Sequence, residues 1–431
     1  MKRVFVSFTI TDFYKTKSQV LFWANQFNTC CFLDNHEYVS NEHSYECLVG
    51  AGSLKDINEQ AGTAFAQLRK FAEENSDWLF GHFGFDLKNE IEFLSSSHND
   101  NISFPDLFFF IPEVIVELGR NKINIGLFGD THKKIFDDIL QFPISSSVSE
   151  RKIIQINSRF SREEYISVVE KLRNHILRGD CYEINFCQEF FGENILLEPL
   201  ITYHQLSDIS PTPFGSFYKV NDKYLLCASP ERFLKKTGNL LLTQPMKGTA
   251  VRNKENAVID NNYKAALFSS AKDRSENVMV VDLVRNDLSR VCEEGTVRVN
   301  ELYGIYTFPQ VHQMVSTISG IAREDLSWVD IIRATFPMGS MTGAPKIKVL
   351  SLIEQYEKTK RGLFSGALGY VKPNRDFDFN VVIRSILYNA ENNYVSYQVG
   401  SGITFYSDPE KEFDECLLKA AAINKVLTNT Q

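Results

Sequence analysis

Residues 378–388 and 393–399 read as two strands separated by Ala390-Glu391-Asn392, a connection that allows an antiparallel hairpin and little else. Parallel neighbours need a crossover of about a dozen residues or more, so a βαβ unit is excluded at this point. Helical signals stand apart from this hairpin. Ser161 and Glu164 are spaced as a capping box ahead of Ile166, Val169, Leu172 and Ile176, which share one face, and Gly179 can close that helix. Residues 182–190 follow as a strand with Glu183, Asn185 and Cys187 on one side and Tyr182, Ile184 and Phe186 on the other. Further helices read over 273–291 and 328–336, the second stopped by Pro337. A last one starts with Asp408 as N-cap and Pro409 in first position, and carries Glu412, Glu415 and Lys419 along one face. Hairpin strands with helices set apart specify an α+β fold.

The chain of 431 residues is long enough for a large core or two. Residues 1–145 alternate short apolar runs with turn-like stretches and read as mainly β. The stretch Ser145-Ser146-Ser147-Val148-Ser149-Glu150 is the candidate linker to the region 150–431, the two together expected to form one compact unit. With 43% hydrophobic and 23% charged residues the composition is that of a soluble globular protein. A net charge of −8 leaves no basic footprint for nucleic acid, and the apolar runs are too short to cross a bilayer. Thr9, Thr11 and Asp12 interrupt the N-terminal apolar run, so it reads as an edge strand and not as a secretion signal. Eight cysteines without CxxC spacing or a nearby histidine cluster point to reduced packing residues of a cytoplasmic protein and away from zinc.

Gln244-Pro245-Met246-Lys247-Gly248-Thr249 is the segment most suggestive of chemistry. It follows Leu240, Leu241 and Leu242 and presents one lysine at a strand end, where proline fixes the backbone and glycine permits a turn. Lys247 is either a solvated surface lysine or, if burial or a neighbouring cation frees its lone pair, a nucleophile. Asp273 with Glu276, and Glu412 with Glu415, each place two carboxylates on one helix face. These are either solvated helix faces or, if the faces meet, an oxygen-only site suited to Mg²⁺. Gly400-Ser401-Gly402 follows a strand and can offer backbone N–H groups to an anion that Arg384 would grip, although turns need glycine in any case. The turn from Met338 through Gly339, Ser340 and Gly343 to Lys346 leads into a helix and matches neither a Walker loop nor a Rossmann fingerprint.

Taken in order, these segments resemble the chorismate-utilising enzymes. The resemblance is carried by Gly179-Asp180-Cys181-Tyr182-Glu183-Ile184-Asn185, Ser229-Pro230-Glu231-Arg232-Phe233, the segment around Lys247, Glu276-Asn277-Val278-Met279-Val280-Val281-Asp282-Leu283-Val284-Arg285-Asn286-Asp287, the turn from Gly339 to Lys346, and Gly400-Ser401-Gly402-Ile403 with Ser407-Asp408-Pro409-Glu410. It spans essentially all of 150–431, and residues 80–88 look similar as well. It implies large antiparallel sheets packed as a sandwich with helices outside. Glu276 and Glu415 match direct Mg²⁺ ligands, with Asp273 and Glu412 acting through water. Arg384, Gly400, Ser401, Gly402 and Lys419 match the positions that hold the two carboxylates of chorismate, and Gly248, Thr249 and Ser340 match further substrate contacts.

Lysine at position 247 resembles the aminodeoxychorismate synthase branch, component I, whereas anthranilate and isochorismate synthases have alanine there. In that branch the lysine attacks C2 of chorismate with loss of the C4 hydroxyl, ammonia then displaces it at C4, and Glu231 matches the acid that protonates the departing hydroxyl. The implied product is 4-amino-4-deoxychorismate, from which a separate lyase releases para-aminobenzoate for folate. Three positions depart from the pattern. Glu183 replaces a usual glutamine, as a spectator or as a base that deprotonates ammonium; Gln313 stands where histidine is frequent, with His312 beside it; Phe364 replaces a frequent tyrosine. The chain has no cysteine nucleophile in a glycine-rich elbow with a later His and Glu, so the resemblance implies a separate glutamine amidotransferase subunit as the source of ammonia. The rival readings are anthranilate synthase component I and a chorismate-binding regulatory protein without catalysis.

Overall fold

A computed structural model describes residues 2–39, 42–144, 154–308 and 311–428. Two antiparallel sheets dominate it. The larger has 12 strands, running in the order Val4–Thr9, Lys122–Leu127, Val114–Leu118, Cys47–Ala51, Thr29–Asp34, Phe214–Val220, Lys223–Ser229, Ser385–Asn389, Tyr394–Ile403, Glu183–Gly192 and Gly343–Ala344, with Asn157–Ser158 added beside Glu183–Gly192. The smaller has 10: Met246–Val251, Val311–Ile321, Leu240–Gln244, Arg232–Thr237, Phe377–Val381, Ala367–Val371, Leu79–Phe83, Leu107–Ile111 and Lys55–Glu59, with Arg298–Thr307 beside Val311–Ile321. The expected α+β class and the pair of large antiparallel sheets are what the chain forms.

The alternation of side chains along the strands divides the apolar residues between two cores. Cys31, Tyr218, Leu225, Cys187 and Leu387 face the smaller sheet, where Phe80, Phe108 and Phe110 meet them. Their neighbours Cys30, Phe32, Phe217, Leu226, Phe186 and Ile386 face outward onto helices. The two sheets touch closely. A Cβ at Gly50 would stand 2.9 Å from the Phe80 ring, and His82 Nδ1 hydrogen-bonds the Tyr218 hydroxyl across the gap at 2.9 Å. The helices Phe13–Ala24, Arg162–Leu177 and Pro409–Thr428 cover the outer face of the larger sheet through residues such as Trp23, Tyr165 and Ile423. Full burial of an aromatic or aliphatic side chain contributes about 1.5–3 kcal/mol, so these faces fix the sandwich.

Local signals set the helix ends. The Ser161–Glu164 capping box forms, and Gly179 at φ +82° ends that helix. Asp408 Oδ1 accepts from the backbone N–H of Glu410 at 3.1 Å and so caps the last helix. The candidate linker Ser145–Glu150 lies outside the described residues. Strands from before and after it share both sheets: Thr29–Asp34 pairs with Phe214–Val220, and Leu79–Phe83 with Ala367–Val371.

One expected element is different. The strand read over 378–388 is two strands, Phe377–Val381 in the smaller sheet and Ser385–Asn389 in the larger, and only the second forms the hairpin with Tyr394–Ile403. The chain crosses between the sheets through Val382, Ile383 and Arg384, with Arg384 in the left-handed region at φ +53°. A second crossing runs beside it in the opposite direction, from Lys223–Ser229 through Pro230 and Glu231 to Arg232–Thr237. The backbone N–H of Val381 donates to the Glu231 carbonyl at 3.0 Å, and that of Ala228 to the Arg384 carbonyl at 3.2 Å, which ties the two crossings together.

Candidate active site

The paired crossings deliver Glu231 and Arg384 to one cavity of about 500 Å³. Its wall also takes Lys247, Gly248 and Thr249 from the strand Met246–Val251, Asp273 and Glu276 from the helix Ala271–Ser289, and Glu415 and Lys419 from the last helix. Ser340, Gly400 and Gly402 line it as well, and the volume is in the range of small-molecule sites. Residues far apart in the chain therefore meet here, including most of those singled out from the sequence. Two stand aside. Ser401, on the opposite side of its strand from Gly400 and Gly402, turns its hydroxyl to Tyr165 at 3.2 Å in the outer core. Glu412 is buried behind the wall, 3.5 Å from Nζ of Lys272.

Lys247 is not a surface lysine. Its Nζ is 2.7 Å from Oε1 of Glu183, and its side chain is 11% exposed. Burial works to remove its proton, but Glu183 in contact, with Glu276 and Glu415 further off, outweighs burial and holds the ammonium well above the ordinary lysine range. Glycines make the space. At Gly402 a Cβ would collide with Nζ of Lys247, and at Gly248, φ +89°, it would press on Asp273 at 3.0 Å.

Glu231 is 4% exposed, and burial pushes its carboxyl up to about 7 against the opposing effects of a Ser340 hydrogen bond and the Lys247 charge. A carboxyl that is partly protonated at neutral pH can serve as a general acid. Arg384 lines the wall as well, and among the described residues its guanidinium donates no hydrogen bond. Burial lowers its pKa, and Glu415 opposes this. Lys419 Nζ holds Glu415 at 2.7 Å and the Gly400 carbonyl at 3.0 Å, fixing the last helix to the strand end.

The acidic helices form the remaining wall. Burial raises the Glu276 carboxyl to about 7, while Lys419 draws Glu415 below the usual range. Among the described residues no three acidic, histidine or cysteine side chains are gathered closely enough to hold a metal as they stand. The donors nevertheless fit a hard cation. They are all oxygens, and Oε1 of Glu276 and Oε1 of Glu412 are buried with no close hydrogen bond, only a loose ion pair to Lys272. Lys272 Nζ lies 3.7 Å from the first and 3.5 Å from the second.

The positions that departed from the family pattern resolve in different ways. Gln313 lines the cavity and donates to the Thr249 hydroxyl at 2.8 Å, whereas His312 is turned to Thr307 and Asp260. Phe364 lines the cavity as well. Sequence reasoning passed over Asn185 and Lys272 as wall residues. Asn185 follows Glu183 on the same strand face, and its Nδ2 donates to the Ser340 carbonyl at 3.0 Å; that period was the available signal. Lys272 carried none. Behind the wall, buried Arg361 donates to the carbonyls of Asn185 at 2.8 Å and Met341 at 2.7 Å and so locks the Ser340 turn to the strand.

A family model described as chorismate binding enzyme matches residues 27–425. The chain is 36% identical to an anthranilate synthase component I-like protein of Synechocystis over 80% of this chain and 71% of that one. It is 31% identical to aminodeoxychorismate synthase component 1 of Bacillus subtilis over 80% of this chain and 76% of the relative. It spans 43% of the length of two plant relatives. A crystal structure of anthranilate synthase component I from Streptococcus pneumoniae superposes with a TM-score of 0.76 at 22% identity, covering 90% of this chain and 94% of that one, a likeness of fold. No helix among the described residues is long and apolar enough to cross a membrane, and all eight cysteines are unpaired and buried.

Proposed function

The chain belongs to the family of chorismate binding enzymes, and from that premise we propose that it aminates chorismate with ammonia to 4-amino-4-deoxychorismate. One observation carries the choice among the reactions of this substrate: an amine, Lys247, stands in the cavity with the buried acid Glu231. Lys247 attacks C2, and Glu231 gives its proton to the hydroxyl that leaves C4. Arg384, Lys419 and the backbone at Gly400 and Gly402 bind the substrate carboxylates. Glu276 and Glu415, with Asp273 and Glu412 next to them, would hold Mg²⁺, which supplies positive charge against a substrate carboxylate. The name component 1 of the Bacillus subtilis relative supports a second component, a glutamine amidotransferase subunit that supplies the ammonia.

The test uses purified protein with chorismate, Mg²⁺ and ammonium, products being separated and identified by mass. Formation of 4-amino-4-deoxychorismate, lost in Lys247→Ala, is the expected result. Release of pyruvate with anthranilate would instead establish the second reading, anthranilate synthesis, which the Synechocystis relative's name favours. Chorismate that binds and is recovered unchanged would make the chain a binding protein.

A further inference from the structure

An ammonium has no lone pair, so Lys247 must lose a proton before it can bond to carbon. The group in position to take it is Glu183. Its carboxylate is 4% exposed, touches Nζ at 2.7 Å, and is the one acidic group within ion-pair reach of Nζ among the described residues. Backbone confines the pair on two sides. A Cβ at Gly402 would collide with Nζ and stand 2.9 Å from Glu183 Oε1, while Glu183 itself is fixed in register with Ala344. The other charged groups of the cavity wall are Glu231 from the crossing, Lys272, Asp273 and Glu276 from one helix, Asp414, Glu415 and Lys419 from the other, and Arg384.

We propose that Glu183 is the general base of the amination, taking a proton from Lys247 as the lysine attacks and returning it when the lysine is released. The inference rests on the amination reading above. In the first step the Glu183 carboxylate accepts one ammonium proton and the freed lone pair forms the Nζ–C2 bond. The C1–C2 double bond moves to C1–C6 and the C5–C6 double bond to C4–C5. The C4–O bond breaks, and the hydroxyl leaves as water with the proton of Glu231. In the second step ammonia bonds to C4 and both double bonds move back. The C2–Nζ bond breaks with its electrons on nitrogen, and Glu183 returns its proton to the amine. Glu231 is reprotonated by the ammonium ion that supplies the ammonia. Because the proton only shuttles within the pair, attack by Lys247 needs no proton loss to solvent.

Glu183→Gln removes the acceptor and keeps the shape, so the readout is the ratio of its kcat to that of the wild type between about pH 6 and about pH 8. Glu231 and the supply of free ammonia are common to both proteins and cancel. The ratio should start at a tenth or less and rise about tenfold per pH unit, because Lys247 must then lose its proton to water, and level off once it has. Glu183→Asp, which retains a base, should give a ratio that does not change with pH. A pH-independent ratio for Glu183→Gln overturns the proposal and leaves Glu183 as a residue that only positions the lysine; so does a pH-dependent ratio for Glu183→Asp. Absence of aminated product from the wild type overturns the activity itself, and full amination by Lys247→Ala overturns the lysine as nucleophile and with it the role of Glu183. A flat ratio beside an inactive Lys247→Ala overturns only the role of Glu183.

Discussion

On the strand side of the cavity, Lys247 and Glu183 meet at 2.7 Å in a slot that Gly402 leaves open. On the helix side, Glu276 Oε1 and Glu412 Oε1 have no hydrogen-bond partner and flank Lys272 at 3.7 and 3.5 Å, a lysine whose side chain is 49% exposed. The strand pair is complete without a ligand, since each charge has its counter-charge in contact. The helix wall carries Asp273, Glu276 and Glu415, with Glu412 buried behind them, against Lys272 and Lys419, an excess of carboxylate over ammonium. The backbone explains the contrast: Lys247 and Glu183 are each set by the pairing of their own strand, one in the smaller sheet and one in the larger, so the ion pair joins the two sheets, whereas Glu276 and Glu412, on two helices, meet only through Lys272.

Separate roles for the two sides predict separable defects. Lys247→Ala should lower kcat/KM for amination on the order of a thousandfold, ~4 kcal/mol of transition-state stabilisation, and leave the Mg²⁺-induced rise in Tm as it is. If that rise disappears with the lysine, the two walls are not independent. Glu231→Gln should cost about 10²–10⁴ in kcat. Because burial raises the Glu231 carboxyl, its acid form persists up to about 7 and is lost as pH rises further, so wild-type kcat should fall above that pH and the variant should lack the decline. Gly402→Ala pushes a methyl group against Nζ, and a displacement of that size should reduce kcat about a hundredfold. A wild-type rate in this variant would mean that the slot does not constrain the pair.

The helix side is tested without turnover. With Mg²⁺ at about a hundred times its Kd, the wild type should gain about 2.7 kcal/mol of stability, read as a rise in Tm, and Glu276→Gln should lose most of it. Lys272→Met should tighten Mg²⁺ binding in calorimetry by a few fold, since a half-exposed ammonium is worth about 1 kcal/mol or less. Weaker binding would show that Lys272 supports the carboxylates and does not compete with the cation.

Much of this molecule was legible beforehand where the determinants are local. The capping box of Ser161 and Glu164, the hairpin turn at 390–392 and the shared helix faces of Glu412, Glu415 and Lys419 depend on neighbours within a few residues. The strand over 378–388 was misread because apolar alternation has the same period in either sheet, and nothing in that pattern marks the turn at Arg384. Ser401 was grouped with its glycines as a source of backbone N–H groups, and only the structure shows that its hydroxyl turns to Tyr165, because a strand sends neighbouring side chains to opposite faces.

The sequence by itself determined the residue types, the antiparallel class and, through the ordered segments that resemble chorismate-utilising enzymes, which residues to ask about. Only the tertiary structure decided that Lys247 is buried, that its partner is Glu183, and that the lysine is held as an ammonium before substrate arrives. The reason is physical. Caps and turns are fixed by short-range sterics and backbone hydrogen bonds, whereas the proton on a lysine answers to the sum of burial and every nearby charge, and those groups come from strands and helices distant in the chain.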